Sequence, residues 1–190
     1  MLYIVDNGMG NIKSVKNALS ILNIKCKVSK ESKDLENSSA IIFPGVGAFP
    51  MAMRNLSDRH LIELIKDLVI NKKIPFLGIC LGMQLLFDAS EEQVKTKGLG
   101  IFKGYVKRIK SKESLIVPHV GWNKIDLIKK NPLLKNIDSN ARFYFDHSYY
   151  VTETRNNQFA VLNYGEKMIV GVWRENIFGV QFHPEKSQRN

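Results

Sequence analysis

Cysteine is scarce in this chain, which has only Cys26 and Cys80 among its 190 residues. Two thiols cannot form the disulfide framework of a small secreted protein. The sequence also lacks an apolar run of the roughly 20 residues that span a bilayer. It has no basic leader, because the acidic Asp6 interrupts the first apolar stretch. These absences argue against a disulfide-rich or membrane-spanning class and predict a cytoplasmic protein.

Long runs of one charge are also missing, although the chain carries 28 basic and 18 acidic residues and a formal net charge of +10. The lysines are scattered and form neither a basic block nor the aromatic-interleaved ribbon of a nucleic-acid site. The sequence therefore predicts no nucleic-acid partner. A solvated basic surface is the simplest interpretation, and an acidic protein partner or an anionic substrate is the alternative.

The glycine-rich loop after the first apolar run lacks one glycine that a dinucleotide site requires. Gly8 and Gly10 match the start of that pattern, but Lys13 stands where the third glycine belongs. We therefore predict no nucleotide cofactor at this loop. No metal or other cofactor is predicted elsewhere in the chain.

The order of hydrophobic patterns predicts an α/β protein with a mostly parallel central sheet. In the first half, buried-strand runs alternate with helical spacing, which places helices on both faces of the sheet. After about residue 98 the helical periodicity ends and added antiparallel strands are expected, with hairpin turns at residues 156–157 and 165–166. No linker or repeat divides the chain, so a single domain over residues 1–190 is predicted.

The segment GICLG at residues 78–82 carries the strongest chemical signal. It follows an apolar strand run and opens an apolar helical stretch, which is the context of a nucleophile elbow. Its two glycines prevent a collision between strand and helix, and its middle residue lies at the carboxyl end of the sheet. Cys80 is therefore the predicted nucleophile, aided by the N-terminus of its helix. Cys26 is interpreted as a structural thiol.

A thiol nucleophile needs a base, and the chain has four histidines. His183 is the best candidate because it follows a buried-strand run and so lies at the same edge of the sheet as Cys80. Residues i and i+2 of an extended chain point the same way, so Glu185 can orient the ring. A loop that merely caps a strand is the alternative. The other histidines are predicted at the surface, in a loop and at a strand end: His60, His119 and His147.

Acyl transfer also requires hydrogen-bond donors for the developing oxyanion. The N–H of Leu81, next to the nucleophile, is one candidate. The loop PGVG at residues 44–47 is the other, because its glycines allow the backbone to turn an N–H toward the site. An ordinary glycine turn after a strand is the alternative interpretation of this loop.

Together, GICLGMQ at residues 78–84, PGVGAF at 44–49 and HPE at 183–185 resemble the class I, triad-type glutamine amidotransferases. More narrowly, PHVGWN at 118–123 and FDHSYY at 145–150 are similar to the glutaminase subunits of imidazole glycerol phosphate synthases. The resemblance runs along the whole chain. It implies the flavodoxin-like fold of class I glutamine amidotransferases and no cofactor.

The resemblance further implies a mechanism and a set of site residues. Cys80 attacks the side-chain amide of L-glutamine, His183 protonates the leaving ammonia and later activates water, and Glu185 orients His183. Gln84 matches the residue that binds the amino-acid end of the substrate. The implied oxyanion donors are Leu81 and the loop of Gly45, Val46 and Gly47, and the implied pocket lining is His147, Ser148 and Tyr149.

A partner is implied as well. In the family, ammonia passes to a (βα)8-barrel cyclase subunit, which makes imidazole glycerol phosphate and AICAR in histidine biosynthesis, so a heterodimer is expected. Trp122, in a segment interpreted as a loop, is either a core residue or an interface anchor. The positions that match the family's partner-facing residues are Asn11, Pro118, Val120, Trp122 and Lys186.

Two features depart from the family pattern. The residues after Phe49 are PMAM, which alters the segment next to the oxyanion loop. In the family a closing helix follows the position of Ser187, whereas this sequence runs only to Asn190. We expect the loss of that helix to expose apolar sheet surface and to lower stability more than it changes the chemistry.

Three alternatives remain open at this point. A paralogous subunit would supply ammonia for amidation of a nucleotide sugar or a surface-glycan precursor, since the acceptor is bound by the partner. A non-catalytic activator would keep the fold only to gate its partner. A cysteine hydrolase would cleave peptides or esters without a partner.

Overall fold

Parallel strands and helices alternate through the first part of the computed structural model, which describes residues 1–111, 115–138, 140–154 and 156–187. The strands are β1 (Leu2–Val5), β2 (Cys26–Ser29), β3 (Ala40–Gly45) and β4 (Phe76–Cys80). They lie side by side in the order β2-β1-β3-β4. The helices are α1 (Ile12–Ile21), α2 (Ser32–Leu35), α3 (Phe49–Asp58) and α4 (Leu61–Lys66), which continues as a π-helical turn at Asp67–Asn71.

After β4 a short helix, α5 (Leu81–Gln84), leads into a mostly antiparallel region. Its strands are β5 (Ala89–Ser90), β6 (Thr96–Lys97), β7 (Tyr105–Arg108), β8 (His119–Lys124), β9 (Asp126–Leu127), β10 (Arg142–His147), β11 (Tyr149–Val151), β12 (Gln158–Asn163), β13 (Lys167–Arg174) and β14 (Ile177–Val180). Strand β14 pairs parallel with β4 and extends the first sheet through β13, β11, β7, β5 and β6. Strands β8 and β10 form a separate antiparallel pair.

Strand β4 lies between β3 and β14, and this pairing assembles the site. Gly45 at the end of β3 lies opposite Cys80, and Val180 at the end of β14 lies opposite Ile79. Because these three strands are parallel, their carboxyl ends meet at one edge of the sheet. The glycine loop, the elbow and the HPE segment therefore come together there, although they are far apart in the sequence.

Two hydrophobic clusters cover the two faces of the sheet. One packs Phe43 against helix residues that include Leu56 of α3 and Ile65 of α4. The other joins Val15 of α1 to Phe145 of β10, so that the β8–β10 pair shares this face with a helix. The predicted α/β class, with a mostly parallel sheet, helices on both faces and added antiparallel strands, is confirmed. No helix within the described ranges is long and apolar enough to cross a bilayer.

Residues His119–Lys124 form a strand, whereas the sequence predicts a loop over residues 118–123. Strand β8 begins at His119 and pairs along its length with β10. Its alternation is reversed, because His119 is buried while the apolar Val120 and Trp122 are exposed. Sequence patterns identify a strand by apolar side chains on its buried face, so a strand whose apolar side chains face outward is not recognised from its sequence. The exposure of Trp122 also means that it is not a core residue.

Only one of the two predicted hairpin turns joins paired strands. Gly165, with φ +71°, and Glu166 link β12 to β13, which pair. Asn156 has a positive φ of 57°. However, β11 and β12 both pair with β13 rather than with each other. Asn156 and Asn157 therefore do not form the turn of a hairpin. The helix after Cys80 is also shorter than predicted, since it ends at Gln84.

Candidate active site

Cys80 occupies a strained turn between β4 and α5. Its backbone angles are φ 54° and ψ −109°, a conformation that a residue with a side chain rarely adopts. A Cβ atom at Gly78 would lie 2.5 Å from the carbonyl oxygen of Gly82, and one at Gly82 would collide with the carbonyl of Phe43 on β3. The glycines of the predicted elbow are therefore required by close backbone approach, and the turn holds the thiol at the end of the sheet.

The predicted base and its predicted orienting carboxylate lie next to each other, although Pro184–Lys186 form a 3-10 helical turn and not the extended chain from which the pair was predicted. Nδ1 of His183 lies 2.8 Å from Oε1 of Glu185, and both side chains are almost fully buried. The N–H of His183 donates to the carbonyl of Tyr144 on β10, at 2.9 Å. The hydroxyl of Ser187 donates to the carbonyl of His183 at 2.6 Å, which fixes this turn from the other side.

The surroundings of His183 favour its protonated form. Burial lowers its pKa, but the neighbouring Cys80 sulfur and the Glu185 carboxylate outweigh that effect and raise the pKa to about 10. Nδ1 is held by Glu185, and Nε2 is buried without a hydrogen-bond partner among the described residues. The imidazole can therefore carry a proton on Nε2 for delivery to a group bound at Cys80.

The predicted oxyanion loop lies beside the nucleophile. A Cβ atom at Gly45 would lie 2.9 Å from the Cβ of Leu81, and Gly47 has a φ of +101°. The N–H of Val46 donates to the carbonyl of Met9 at 2.6 Å, so this donor is turned away from Cys80. Leu81 is the first residue of α5, where backbone N–H groups have no partner within the helix. The Leu81 N–H therefore needs a partner from outside the helix, whereas the Val46 N–H is occupied.

A cleft of about 380 Å³ opens onto the thiol. The predicted pocket residues His147, Ser148 and Tyr149 line it together with Cys80 and Gln84. The remaining lining residues are Gly47, Ala48, Glu92, Pro118 and Asp146. The structure therefore brings the predicted nucleophile, the predicted oxyanion loop and the predicted pocket segment around one space.

Gln84 is buried and its amide nitrogen makes two hydrogen bonds. Nε2 donates to the carbonyl oxygen of Tyr149 at 2.9 Å and to Oε1 of Gln181 at 3.0 Å. Both N–H groups are thus used inside the protein. What Gln84 can offer to a bound molecule is its carbonyl oxygen, which is an acceptor.

His147 belongs to the pocket wall and is kept neutral. Burial lowers its pKa to about 3, although a hydrogen bond to the carbonyl of Tyr149 acts in the opposite direction. Since a carbonyl only accepts, Nδ1 of His147 carries the proton, at 2.9 Å from that oxygen. Its Nε2 then accepts from Nδ1 of His119 at 3.0 Å. This pair gives His119 a structural role that its predicted loop position does not suggest.

The predicted partner-facing residues differ in their solvent exposure and in their contacts within the chain. Val120 and Trp122 are exposed on β8, by 54% and 37%, and Pro118 is exposed just before them. Trp122 and Lys186 both contact Tyr144, with 5.8 Å between the ring centroids and 5.2 Å from Nζ to the ring. Asn11 instead caps α1, because its Oδ1 accepts from the N–H of Ser14 at 3.3 Å.

Sequence reasoning missed two side chains at the site. Oε2 of Glu92 accepts from the N–H of Phe49 at 2.8 Å and lines the cleft, but it comes from a loop with no local pattern. Gln181 is fully buried and its Nε2 lies 3.5 Å from the Cys80 sulfur. A polar residue inside the apolar run before His183 was the signal that could have identified Gln181.

The family model described as glutamine amidotransferase class-I matches residues 3–190 of this sequence. The chain belongs to this family. Its α/β architecture and its cysteine elbow agree with that membership, which makes the chain a glutamine amidotransferase.

Several curated proteins are similar to the chain over its full length. The imidazole glycerol phosphate synthase subunit HisH of Leptospira borgpetersenii is 45% identical over 194 residues, covering 100% of this chain and 95% of that protein. The subunit of the same name from Caldanaerobacter subterraneus is 46% identical, covering 98% and 91%. Among solved structures, a crystal structure of a glutamine amidotransferase superposes with a TM-score of 0.76 at 18% identity, covering 96% of this chain and 90% of that one. That similarity shows the fold.

Proposed function

We propose that this chain is the glutaminase subunit of an imidazole glycerol phosphate synthase and passes ammonia from L-glutamine to a (βα)8-barrel cyclase subunit. The observation that carries the proposal is the His183–Glu185 pair at 2.8 Å beside an elbow cysteine. It occurs in a chain that is 45% identical over its whole length to a HisH subunit. The residues needed for glutamine hydrolysis are therefore present together.

The first half of the reaction forms a thioester. The Cys80 sulfur, as a thiolate, attacks the side-chain carbonyl carbon of glutamine, and the carbonyl oxygen becomes an oxyanion next to the Leu81 N–H. When the tetrahedral intermediate collapses, the carbon–nitrogen bond breaks and His183 gives its Nε2 proton to the leaving nitrogen. Ammonia departs, and His183 is left neutral.

The second half hydrolyses the thioester. His183 takes a proton from water as the oxygen attacks the thioester carbon, and the carbon–sulfur bond then breaks to release glutamate and restore the thiolate. The Glu185 carboxylate stabilises the imidazolium in both halves. The raised pKa of His183 supports this cycle, because the ring starts as the acid that ammonia release requires.

The charges in the cleft suit the amino-acid end of glutamine. Gln84 has only an acceptor left, and Glu92 adds a carboxylate to the same cleft. Acceptors and negative charge favour an α-ammonium group. His147 is neutral and so does not compete with His183 as an acid.

The Val46 N–H supports a switched oxyanion site. Its hydrogen bond to Met9 keeps one donor away from Cys80 in the isolated chain. A peptide flip within residues 45–47 would turn that donor inward, and the positive φ of Gly47 shows that this loop already uses glycine's conformational freedom. This proposal predicts different peptide orientations in the isolated chain and in the glutamine-loaded complex with the cyclase, whereas identical orientations would contradict it.

The partner-facing surface is proposed around Val120 and Trp122. An exposed tryptophan on the strand that follows the cleft residue Pro118 fits the aromatic anchors found at interface centres. Pro118 and Lys186 lie in the same region, at the cleft and beside Tyr144, respectively.

Glutamine hydrolysis with and without the partner tests the function. We expect slow glutamate release by the chain alone and a large increase when the cyclase subunit and its nucleotide ligand are added. Cys80→Ala should abolish glutamate release and leave cyclase binding intact, because it removes only the nucleophile. Cys26→Ala is the matched control, since that thiol lies in β2, away from the cleft, and should keep the parent rate.

Three results would contradict the proposal. Full activity of the Cys80→Ala variant would remove the nucleophile from the mechanism. Strong peptide hydrolysis by the isolated chain would instead indicate a cysteine hydrolase. Activation only by a partner that amidates a nucleotide sugar would indicate the paralogous pathway.

A further inference from the structure

Gln181 lies between the nucleophile and the pocket, one residue beyond β14. Its side chain is fully buried, and its neighbours in the sequence, Val180 and Phe182, are apolar and buried as well. Burying an amide costs free energy unless its donors and acceptors are satisfied. In this position its two ends meet two functional groups, the sulfur of Cys80 and the amide of Gln84.

The direction of the Gln181 amide follows from the network itself. The carbonyl oxygen of Tyr149 only accepts, so the Gln84 atom that faces it must be nitrogen. The same nitrogen also faces Gln181 at 3.0 Å, so the Gln181 atom there must be oxygen. The other end of the Gln181 amide is then its NH2 group, and it lies 3.5 Å from the Cys80 sulfur.

We propose that Gln181 is a further residue of the catalytic machinery, which donates an N–H to the Cys80 sulfur and ties the nucleophile to the Gln84 amide in the substrate pocket. The inference rests on the proposed function in taking Cys80 as the nucleophile. A donor aimed at sulfur favours the thiolate over the thiol, since only the anion is a strong acceptor. The hydrogen bond from Gln84 satisfies the carbonyl oxygen at the other end of the Gln181 amide.

Gln181 therefore acts on the sulfur in a different way from His183. His183 exchanges protons during the reaction, whereas an amide N–H neither gains nor loses a proton at neutral pH. A constant donor stabilises the thiolate throughout the cycle. As a thiol the sulfur can donate to the carbonyl of Asp146, 3.9 Å away, whereas as a thiolate it can only accept, as it does from Gln181.

The pH profile of thiol alkylation tests this assignment in the full-length chain. We would measure the rate of iodoacetamide reaction against pH in a Cys26→Ser background, so that only Cys80 reports. Gln181→Met keeps the length of the side chain but removes the N–H. The midpoint of the profile should rise by about one pH unit, because a hydrogen bond to a charged group has a strength of that order.

A second variant covers the case in which Gln181→Met does not fold. Gln181→Asn keeps a hydrogen-bonding amide in the buried site but withdraws it from the sulfur, so its midpoint should also rise. Gln84→Met is the matched control, because it breaks the same amide pair while leaving the donor to Cys80. Its midpoint should stay near that of the parent.

Two results would overturn the inference. One is a parent-like midpoint in a folded Gln181 variant, which would leave Gln181 with a purely structural role. The other is an equal rise in Gln84→Met, which would assign the effect to the amide pair rather than to the donor at sulfur. The readout needs neither glutamine nor the partner, so it remains decisive even if the chain fails to hydrolyse glutamine, a failure that would count against the proposed function alone.

Discussion

His183 and His147 occupy two regions around Cys80 that bury their side chains to a similar extent, with 2% and 6% of the surface exposed. Their pKa values nevertheless move in opposite directions, to about 10 for His183 and to about 3 for His147. His183 has a carboxylate on one ring nitrogen and the nucleophilic sulfur as a neighbour. His147 has a carbonyl on one side and a second imidazole on the other.

The difference shows what decides the charge of a buried imidazole. Desolvation favours the neutral ring, and at His147 repulsion by the His119 and His183 rings adds to that preference. The charged partners of His183 reverse it. The same burial therefore produces an acid that can protonate ammonia on one side of the cleft and a neutral wall residue on the other.

The largest expected effect comes from removing the carboxylate that distinguishes His183. Glu185→Gln keeps the shape of the side chain but no longer stabilises the imidazolium, so partner-activated glutamine hydrolysis should fall by about 10³- to 10⁴-fold. Circular dichroism and cyclase binding serve as controls for the fold. A rate within about twofold of the parent would mean that Glu185 does not set the state of His183.

The two histidines should also change the free energy of unfolding with pH in opposite directions. His183 has a folded pKa of about 10, above its ordinary 6.5, so the folded chain holds the extra proton between these values. Its contribution is full below pH 6.5 and is lost as the pH rises toward 10, at up to about 1.4 kcal/mol per pH unit. Urea unfolding over this range should show a steeper decline for the parent than for His183→Gln. Equal slopes would contradict the raised pKa.

For His147 the pH dependence of stability is reversed and falls in the acid range. Its folded pKa of about 3 lies below 6.5, so the unfolded chain binds the extra proton between these values. The contribution of His147 is full above pH 6.5 and is lost as the pH falls toward 3. A His147→Asn variant cannot titrate there, and its free energy of unfolding should fall less steeply below pH 6.5 than that of the parent. The difference between the two curves isolates this residue from the titrating carboxylates.

The smallest effect on activity is expected at His119. Its ring stacks on Tyr164 and Phe145, with centroids 4.0 and 4.9 Å apart. His119→Phe should keep this stacking but leave Nε2 of His147 buried without its donor, at a cost of about 1 to 3 kcal/mol in unfolding free energy. Glutamine hydrolysis should remain within a few-fold of the parent. A loss as large as that of Glu185→Gln would instead assign His119 to the chemistry.

Much of the site was predictable because it depends on local chain geometry. The elbow is specified by Gly78 and Gly82 around Cys80, since only glycine fits where strand and helix approach closely. The His183–Glu185 pair was predicted from a two-residue spacing, although the chain there forms a 3-10 helical turn rather than an extended segment. The parallel order of the first strands followed from their alternation with helices.

Other features depend on contacts that no local pattern contains. Strand β8 exists because β10 pairs with it, and its exposed Val120 and Trp122 conceal it from a reading of hydrophobic periodicity. Glu92 reaches the cleft from a loop by accepting from the backbone of Phe49. Asn156 and Asn157 have the sequence of a hairpin turn. Only the pairing of both neighbouring strands, β11 and β12, with β13 shows that they do not form one.

The sequence by itself determined which groups can react: a thiol on a glycine elbow, and an imidazole with a carboxylate two residues on. Only the tertiary structure decided their states. The protonation of His183 and of His147, the direction of the Gln181 amide and the occupied N–H of Val46 each depend on at least one group from a distant part of the chain. The physical reason is that charge and hydrogen-bond direction depend on what surrounds a buried group, and those surroundings are assembled only when β3, β4, β14 and β10 come together.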